Sequence, residues 1–285
     1  MDIIVTVNQQ AITCNHDAVI VDGQSIIINH DCNLEINYLD NINFDVQIQI
    51  NANINLYEQY NNTQKIILNK TIIINQDCFV QRYVNNQSNH EVEIHETVIL
   101  NQNADIKVAY VEMSDSQLNM NLQYDLIAAG SNAQIRFGAI SKVQENKYIK
   151  ISMNHLSPNT SANMDNYGVV KDQGELVIDG ICTIKKGMYQ SSSHQVNKII
   201  VFDQGANAKA NPYLYIDEYD VKASHGASVG KIDEDHLYYL QSRGLSRHEA
   251  MALVMYGYFT PVIEYIFDET LQEQFLDSLK DKVGI

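Results

Sequence analysis

The chain has 285 residues, 45% of them hydrophobic, and carries 35 Asp and Glu against 19 Lys and Arg, a formal net charge of −16. That apolar content supports a sizeable core and excludes a disordered polymer. The acidic balance excludes a nucleic-acid partner or a polybasic membrane contact, since both need clustered Lys and Arg.

The start, Met1–Gln10, has no basic segment followed by an apolar run, and no stretch of about 18 apolar residues is present to cross a bilayer. The expectation is a cytoplasmic protein without a membrane contact. From Ile3 to about Val221 the chain writes short strands. They include Val19–Val21, Ser25–Ile28, Asn33–Ile36, Phe44–Ile50, Ile66–Leu68, Thr71–Ile74, Glu91–Ile94, Val98–Leu100, Ile106–Val111, Leu118–Leu122 and Lys198–Phe202. Many alternate apolar with polar residues, so every second side chain falls on one face. β-Branched residues dominate, as a half-buried pleated surface favours. Asn, Asp, Gly and Gln punctuate the strands; Gly, Asn and Asp tolerate left-handed turns. The unit Leu100–Ile106 recurs loosely at Ala128–Ile135 and Phe202–Ala208: an apolar strand end, a small polar turn, a new strand. With no amphipathic helix between strands, two architectures stand open, an antiparallel sandwich and a stacked β-solenoid. Four dispersed cysteines, Cys14, Cys32, Cys78 and Cys182, form no CxxC pair and read as reduced thiols.

The pattern changes after about Asp233. Asp233 is placed to cap a short helix ending at Gly244, with an acidic first turn. Ser246–Glu249 is a capping box preceded by Leu245, predicting a helix from Arg247 to about Tyr258. Pro261 is expected to restart a helix at its first position, Asp268 to cap a last one reaching about Lys280, and Gly284 is a weak stop. The predicted organisation is a β-domain over residues 1–232 and a helical unit over 233–285.

Chemistry-bearing motifs are few. His90–Glu96 holds two histidines five apart in strand-like sequence, not four apart on a helix as a zincin requires, and reads as outward polar residues. No P-loop, dinucleotide fingerprint or nucleophile elbow occurs. In Asp220–Lys231, His225 sits among the small residues Ser224, Gly226, Ala227, Ser228 and Gly230. Such neighbours leave an imidazole open to another surface, and imidazole is a fair ligand for iron; a tight turn that happens to hold a histidine is the plain alternative. The helix around Met251, Met255, Tyr258 and Phe259 is apolar over more than one stripe, so it faces either a single core or a core and a partner.

Taken in order, Asp220–Ser246 resembles the C-terminal signature of the SufB/SufD family of iron–sulfur cluster assembly proteins. That signature is an Asp-Val-x-x-Ser-His-Gly-Ala turn, an acidic helix with an aromatic pair (Tyr238, Tyr239), then Ser-Arg-Gly-Leu and a capped Glu-Ala helix. Weaker similarity runs back through Asn154–Thr160 and Tyr167–Val170, covering about the second half of the chain. The chain resembles D-type members. It has His225-Gly226-Ala227 where B-type members have His-Glu-Ala, and Val196 where they carry a cysteine proposed to receive sulfur. Ala223 stands where D-type members often have cysteine, which weakens a thiol role there.

The resemblance implies a mainly β fold, a right-handed parallel β-helix with a small C-terminal helical unit. It implies a non-catalytic scaffold that pairs with a SufB-like chain or with a second copy of itself. His225, in the turn with Ser224 and Gly226, would then be a candidate metal or cluster ligand. A SufC-like ABC ATPase would dock through Tyr238, Tyr239, Arg243, Gly244, Met251, Met255, Tyr258 and Phe259. No cofactor is expected to be tightly bound by this chain alone; an iron–sulfur cluster would pass through the complex, and ATP would sit on the ATPase. A carbohydrate-active β-helix enzyme and a self-assembling structural solenoid are the competing readings.

Overall fold

The structure is a computed structural model that describes residues 3–283 except positions 10, 40, 41, 43 and 63. The alternating strands pair residue for residue with strands one turn away in the chain. In order they are β1 (Ile3–Val7), β2 (Ile12–Cys14), β3 (Val19–Asp22), β4 (Ser25–Ile28), β5 (Cys32–Leu39), β6 (Val46–Ile50), β7 (Ile54–Asn61), β8 (Ile66–Ile74), β9 (Phe79–Asn86) and β10 (Val92–Leu100). They continue as β11 (Asp105–Glu112), β12 (Leu118–Leu126), β13 (Asn132–Ser141), β14 (Asn146–His155), β15 (Ser161–Val170), β16 (Glu175–Ile184), β17 (Ser191–Val201), β18 (Asn207–Ile216) and β19 (Val221–Lys231). Three helices follow: α1 (Glu234–Ser242), α2 (Arg247–Ile263) and α3 (Glu269–Val283).

From β5 onward the odd strands form sheet A and the even strands sheet B, all parallel. Sheet A runs β19-β17-β15-β13-β11-β9-β7-β5-β1-β2, and sheet B runs β18-β16-β14-β12-β10-β8-β6-β4-β3. This is a parallel β-solenoid, not a sandwich: each rung contributes one strand to each sheet, and the two inner faces share one apolar core. At the N-terminal end the stack is closed by antiparallel pairs, β2 on β1 and β3 on β4.

The polar residues between strands have a defined task. Asp77, Asn103, Gly130, Asn159 and Gln190 stack in one corner column with φ of 58°, 54°, 79°, 57° and 55°. Each sends its backbone N–H to a carbonyl in the next rung, as in Asn103 N to Ala129 O at 3.1 Å and Asn159 N to Tyr189 O at 3.0 Å. Asparagine side chains add ladders along the stack. Asn51 Nδ2 donates to Asn29 Oδ1 (2.7 Å), Asn103 Nδ2 to Asp77 Oδ1 (2.8 Å), Asn154 Nδ2 to Asp125 Oδ1 (2.8 Å) and Asn211 Nδ2 to Asp179 Oδ1 (2.8 Å). The partners lie 22, 26, 29 and 32 residues apart, so the rungs lengthen toward the C-terminus.

Some expectations are corrected. Ile66–Leu68 and Thr71–Ile74 are one strand, as are Glu91–Ile94 (from Val92) and Val98–Leu100. Lys70 and Glu96, lying between these segments, continue the inward alternation. Glu96 is therefore not an outward wall residue, although Glu93 and His95 are outward and lie 3.2 Å apart. Phe44 and Asp45 precede β6. Pro261 does not restart a helix; it lies in the last turn of a continuous α2. The ring removes one backbone donor. The Thr260 hydroxyl donates to Tyr256 O (3.1 Å), and Arg136 Nη1 donates to the Pro261 carbonyl (2.6 Å), which steady this turn. Asp233, Ser246 with Glu249, and Asp268 donate or accept as caps where expected. Gly284 lies outside the described residues.

Lys70 and Glu96 belong to a four-charge cluster sealed inside the solenoid with Glu58 and Arg82, all with fully buried side chains. Lys70 Nζ donates to Glu58 (2.7 Å) and lies 2.9 Å from Glu96, while Arg82 grips Glu96 with both terminal nitrogens (2.6 and 2.7 Å) and also bonds Glu58. The Tyr38 hydroxyl donates to Glu58 (2.6 Å). Two cations against two carboxylates leave no net charge, the condition under which buried ions are tolerated. Burial alone would raise the Glu96 carboxyl, but Arg82 and Lys70 hold it down to about 2. Its ionised form therefore stabilises the fold, fully above about pH 4.5, and that contribution is lost as pH falls toward 2. Acid titration followed by circular dichroism should show stability falling in that interval. Arg82→Met leaves Glu58 and Glu96 sharing Lys70 alone, with one buried negative charge uncompensated, and should cost about 3–5 kcal/mol in urea unfolding.

Candidate functional site

The last rung ends unevenly. Sheet B stops at β18, while sheet A continues half a turn further to β19. On one side β19 pairs with β17, placing His225 beside Gln195 and Gly226 beside Val196; among the described residues no strand pairs with its other edge. Ala223, His225 and Ala227 carry on the inward register of β17, but no further rung stacks on β19 among the described residues and they are exposed. Ser224 points to the outer side, where its hydroxyl meets His194 Nδ1 at 2.6 Å. A Cβ built on Gly226 or Gly230 would meet nothing within 4 Å. Nothing inside this chain demands small residues there; a bare backbone edge is what an incoming strand requires. The β18 edge differs, because Pro212 sits in its middle and lacks a donor.

Beneath β19 the interior changes from large aliphatic residues to Ser191, Ser193, Gln195 and Asn197, all buried. Gln195 Nε2 donates across the stack to Tyr213 O (2.9 Å), and Asn166 Nδ2 donates to Asn197 Oδ1 (2.7 Å). His155 lies 2.7 Å from the Thr160 hydroxyl at a corner, and burial pushes its pKa down to about 4, so it is neutral at pH 7. Cys182 is buried in the interior, and burial raises its thiol pKa. Val196 lies beside Gly226, and Ala223 lies on the inward register two residues before His225.

The helices form the second part of the site. They lie on the outer face of sheet A, sharing one apolar layer with Tyr83, Ala109, Val111, Ile140 and Val169. The Phe259 ring seats on Gly138 of β13, where a Cβ would come within 3.2 Å of it. The eight residues expected to dock an ATPase divide. Tyr238 and Tyr239 are exposed on α1, with the Arg243 guanidinium 5.1 Å from the Tyr239 ring centre, and Gly244 ends the helix at φ 100°. Met251, Met255 and Phe259 are corrected: they face sheet A and are buried in the shared layer. Tyr258 is partly buried, edge-on to Tyr167 at 5.6 Å.

The solvent side of α2 carries instead a groove of about 360 Å³ between α2 and α3. It is lined by Leu245, Ala252, Leu253, Tyr256, Leu276 and Leu279, and flanked by Glu249 and Lys280. Leu253 and Tyr256 are 49% and 43% exposed, large values for such side chains on a helix with a full core on its other side. The second apolar stripe of α2 was visible in the sequence; which stripe faces the sheet was not.

Comparison with known families matches residues 39–258 to the SufBD core domain, described as SUF system FeS cluster assembly. The chain belongs to the SufBD family. It is 29% identical over 171 residues to the iron–sulfur cluster assembly protein SufD of Bacillus subtilis, covering 60% of this chain and 39% of that protein. It is 32% identical over 108 residues to SufD of Escherichia coli, 38% of this chain and 26% of that one. A SufBD family protein of Mycobacterium bovis is 37% identical over 110 residues, 39% of this chain and 13% of that one. The alignments thus span well under half of each of these relatives, and among SufBD proteins this chain is SufD-like.

Met255 and Leu253 provide a direct contrast of the two faces. Met255→Glu places a charge in the shared layer and should lower unfolding free energy by more than about 3 kcal/mol. Leu253→Glu, on the solvent side, should change it by no more than about 0.5 kcal/mol. Denaturant melts of both variants check the assignment.

Proposed function

We propose that this SufBD protein is a non-catalytic scaffold subunit of iron–sulfur cluster assembly, joined to a second β-solenoid chain through β19 and to an ABC-type ATPase through its helices. The observation that carries the reading is the free edge of β19. It combines small residues that internal packing does not require with an exposed His225 on the inward register. An added strand would continue sheet A and bring a second chain against the imidazole. The nascent cluster is the cargo; His225 would offer it an imidazole nitrogen ligand, while ATP binding and hydrolysis belong to the ATPase partner. The ATPase contact is assigned to Tyr238, Tyr239 and the α2–α3 groove with Leu253 and Tyr256, in place of the buried methionines.

The second chain is either SufB-like or another copy. One feature of β19 suits self-pairing: antiparallel pairing about Gly226 sets Ser224 against Ser228, Ala223 against Val229 and Lys222 against Gly230, with no like charges opposed. A carbohydrate-active reading loses support because the inward carboxylates Glu58 and Glu96 are neutralised by Lys70 and Arg82 and sealed from solvent.

Three measurements test the proposal. Leu253→Glu or Tyr256→Ala should weaken capture by the cognate ATPase at least about tenfold, a loss of about 1.4 kcal/mol, at unchanged thermal stability; full capture would remove the groove from the contact. His225→Ala should leave the melting temperature unchanged but lower cluster yield in cells that depend on this system, and normal yield would remove His225 from the mechanism. Gly226→Val should abolish co-purification with the second chain, or self-dimerisation in sedimentation, if β19 is the pairing edge.

A further inference from the structure

The far end of the helical unit is tied to the solenoid through charges that none of the contacts above uses. Lys282, in the last turn of α3, is buried, and its ammonium donates to Ser114 O (2.6 Å), Asp115 Oδ1 (2.6 Å) and Glu145 Oε1 (2.8 Å). Lys147 approaches the same groups from inside the solenoid. It donates to Ser114 O (2.7 Å), Ile140 O (2.7 Å) and Glu112 Oε1 (3.0 Å), and lies 3.3 Å from Glu145 Oε2. One carbonyl and one carboxylate therefore hold an ammonium from the helix outside and another from the interior.

The chain of contacts continues inward and sideways. Glu112 Oε1 accepts from Ser114 N (2.9 Å), and its Oε2 accepts from Asn86 Nδ2 (2.6 Å); Asn86 Oδ1 accepts from the Ser88 hydroxyl (2.6 Å). Lys142 N donates to Glu145 Oε2 (3.1 Å), and its Nζ donates to the Lys282 carbonyl (3.2 Å). Three successive corners of the stack are thus connected: the turn after β9, the turn after β11 and the turn after β13. Lys142, Lys147 and Lys282 balance Glu112, Asp115 and Glu145. Moving Glu112, Glu145, Lys147 or Lys282, the buried members, leaves a buried partner short of its counter-charge, so the set favours one discrete arrangement over gradual deformation.

We propose that this through-wall ion relay makes the last turn of α3 and the three corners one mechanical body, through which displacement of the helical unit reaches the solenoid interior. The coupling is a property of this chain alone and stands apart from the identity of any partner. The α2–α3 junction is held by a different set of contacts. There Arg136 bonds the Pro261 carbonyl, contacts the exposed Glu264 at 3.0 Å and lies 4.0 Å from the Tyr265 ring centre.

Hydrogen–deuterium exchange on the full chain, without partners, tests the relay in both directions. Glu112→Gln alters it from the inside without touching α3. The expected result is exchange several-fold faster, on the order of tenfold, in residues 276–283 as well as in the corner turns, with β8 unchanged. Lys282→Met alters it from the outside and should speed exchange in residues 113–117 and 142–147 to a similar extent, whereas Lys282→Arg should stay near the wild-type rate. Ser278→Ala removes the Gln87–Ser278 side-chain bond (2.6 Å) and the Ser278 hydroxyl's bond to Gln274 O (2.8 Å), both outside the ion set, and should leave the corners after β11 and β13 unaffected. Wild-type exchange of α3 in Glu112→Gln, or of the corners in Lys282→Met, overturns the proposal. Because no ATPase or second subunit is present, such a failure would leave the scaffold reading standing, and loss of ATPase capture would leave the relay standing.

Discussion

A parallel strand satisfies its backbone only against neighbours on both sides, and in this protein every strand from β5 to β17 obtains those neighbours from the rungs before and after it. The residues that turn the corners follow from that demand. Each must direct its N–H to the next rung from a left-handed conformation, so Asp, Asn and Gly recur in the corner column, joined by Gln190. The same demand makes the two ends of the stack special. The N-terminal end is folded back on itself by two antiparallel pairs. The C-terminal end keeps β19 as an open edge of small residues, where unpaired backbone groups are available to another chain.

Inside the stack, alternation does more than sort apolar from polar. At one level it brings Glu58, Lys70, Arg82 and Glu96 together in the middle of four consecutive strands. Such a cluster is at best neutral for stability relative to an aliphatic layer, but it penalises any slip in register strongly, because a slip would separate each charge from its counter-ion. The asparagine ladders on the corners penalise the same slip from outside. A long stack of similar rungs has many near-equivalent registers, and these polar contacts distinguish among them.

The helical tail resolves a different problem. Sheet A has an apolar outer face over β7 to β15, and α2 and α3 cover it with Met251, Met255, Phe259, Val262 and Phe275. That leaves the second apolar stripe of α2 outside, with Leu253 and Tyr256 over a groove. The protein therefore presents two unlike surfaces: a backbone edge at the end of the stack, and an apolar groove along its flank. The buried ions around Lys282 connect the flank to the interior.

Much of this was legible in the chain itself. Period-two alternation, β-branched strands and Asn/Asp/Gly turns specify stacked strands locally, and the caps Asp233, Ser246 and Asp268 specify helix starts, because each rests on contacts within a few residues. The ordered run from Asp220 to Ser246 carried the family. The alternation was consistent with both solenoid and sandwich, since both bury one face of every strand, and the recurring small polar turns leaned toward the solenoid. Tertiary structure decided what depended on distant partners. Lys70 and Glu96 lie between the strand segments read from the sequence, and their counter-ions from neighbouring strands let each strand run through. Met251 and Met255 were equally suited to a core or a partner until sheet A was in place to receive them. Lys282 gave no signal at all, because its acceptors lie more than a hundred residues away and meet it only when the helix lies along the stack. Local chemistry determines the elements; the sharing of charges and apolar faces between elements far apart in sequence determines how they are used.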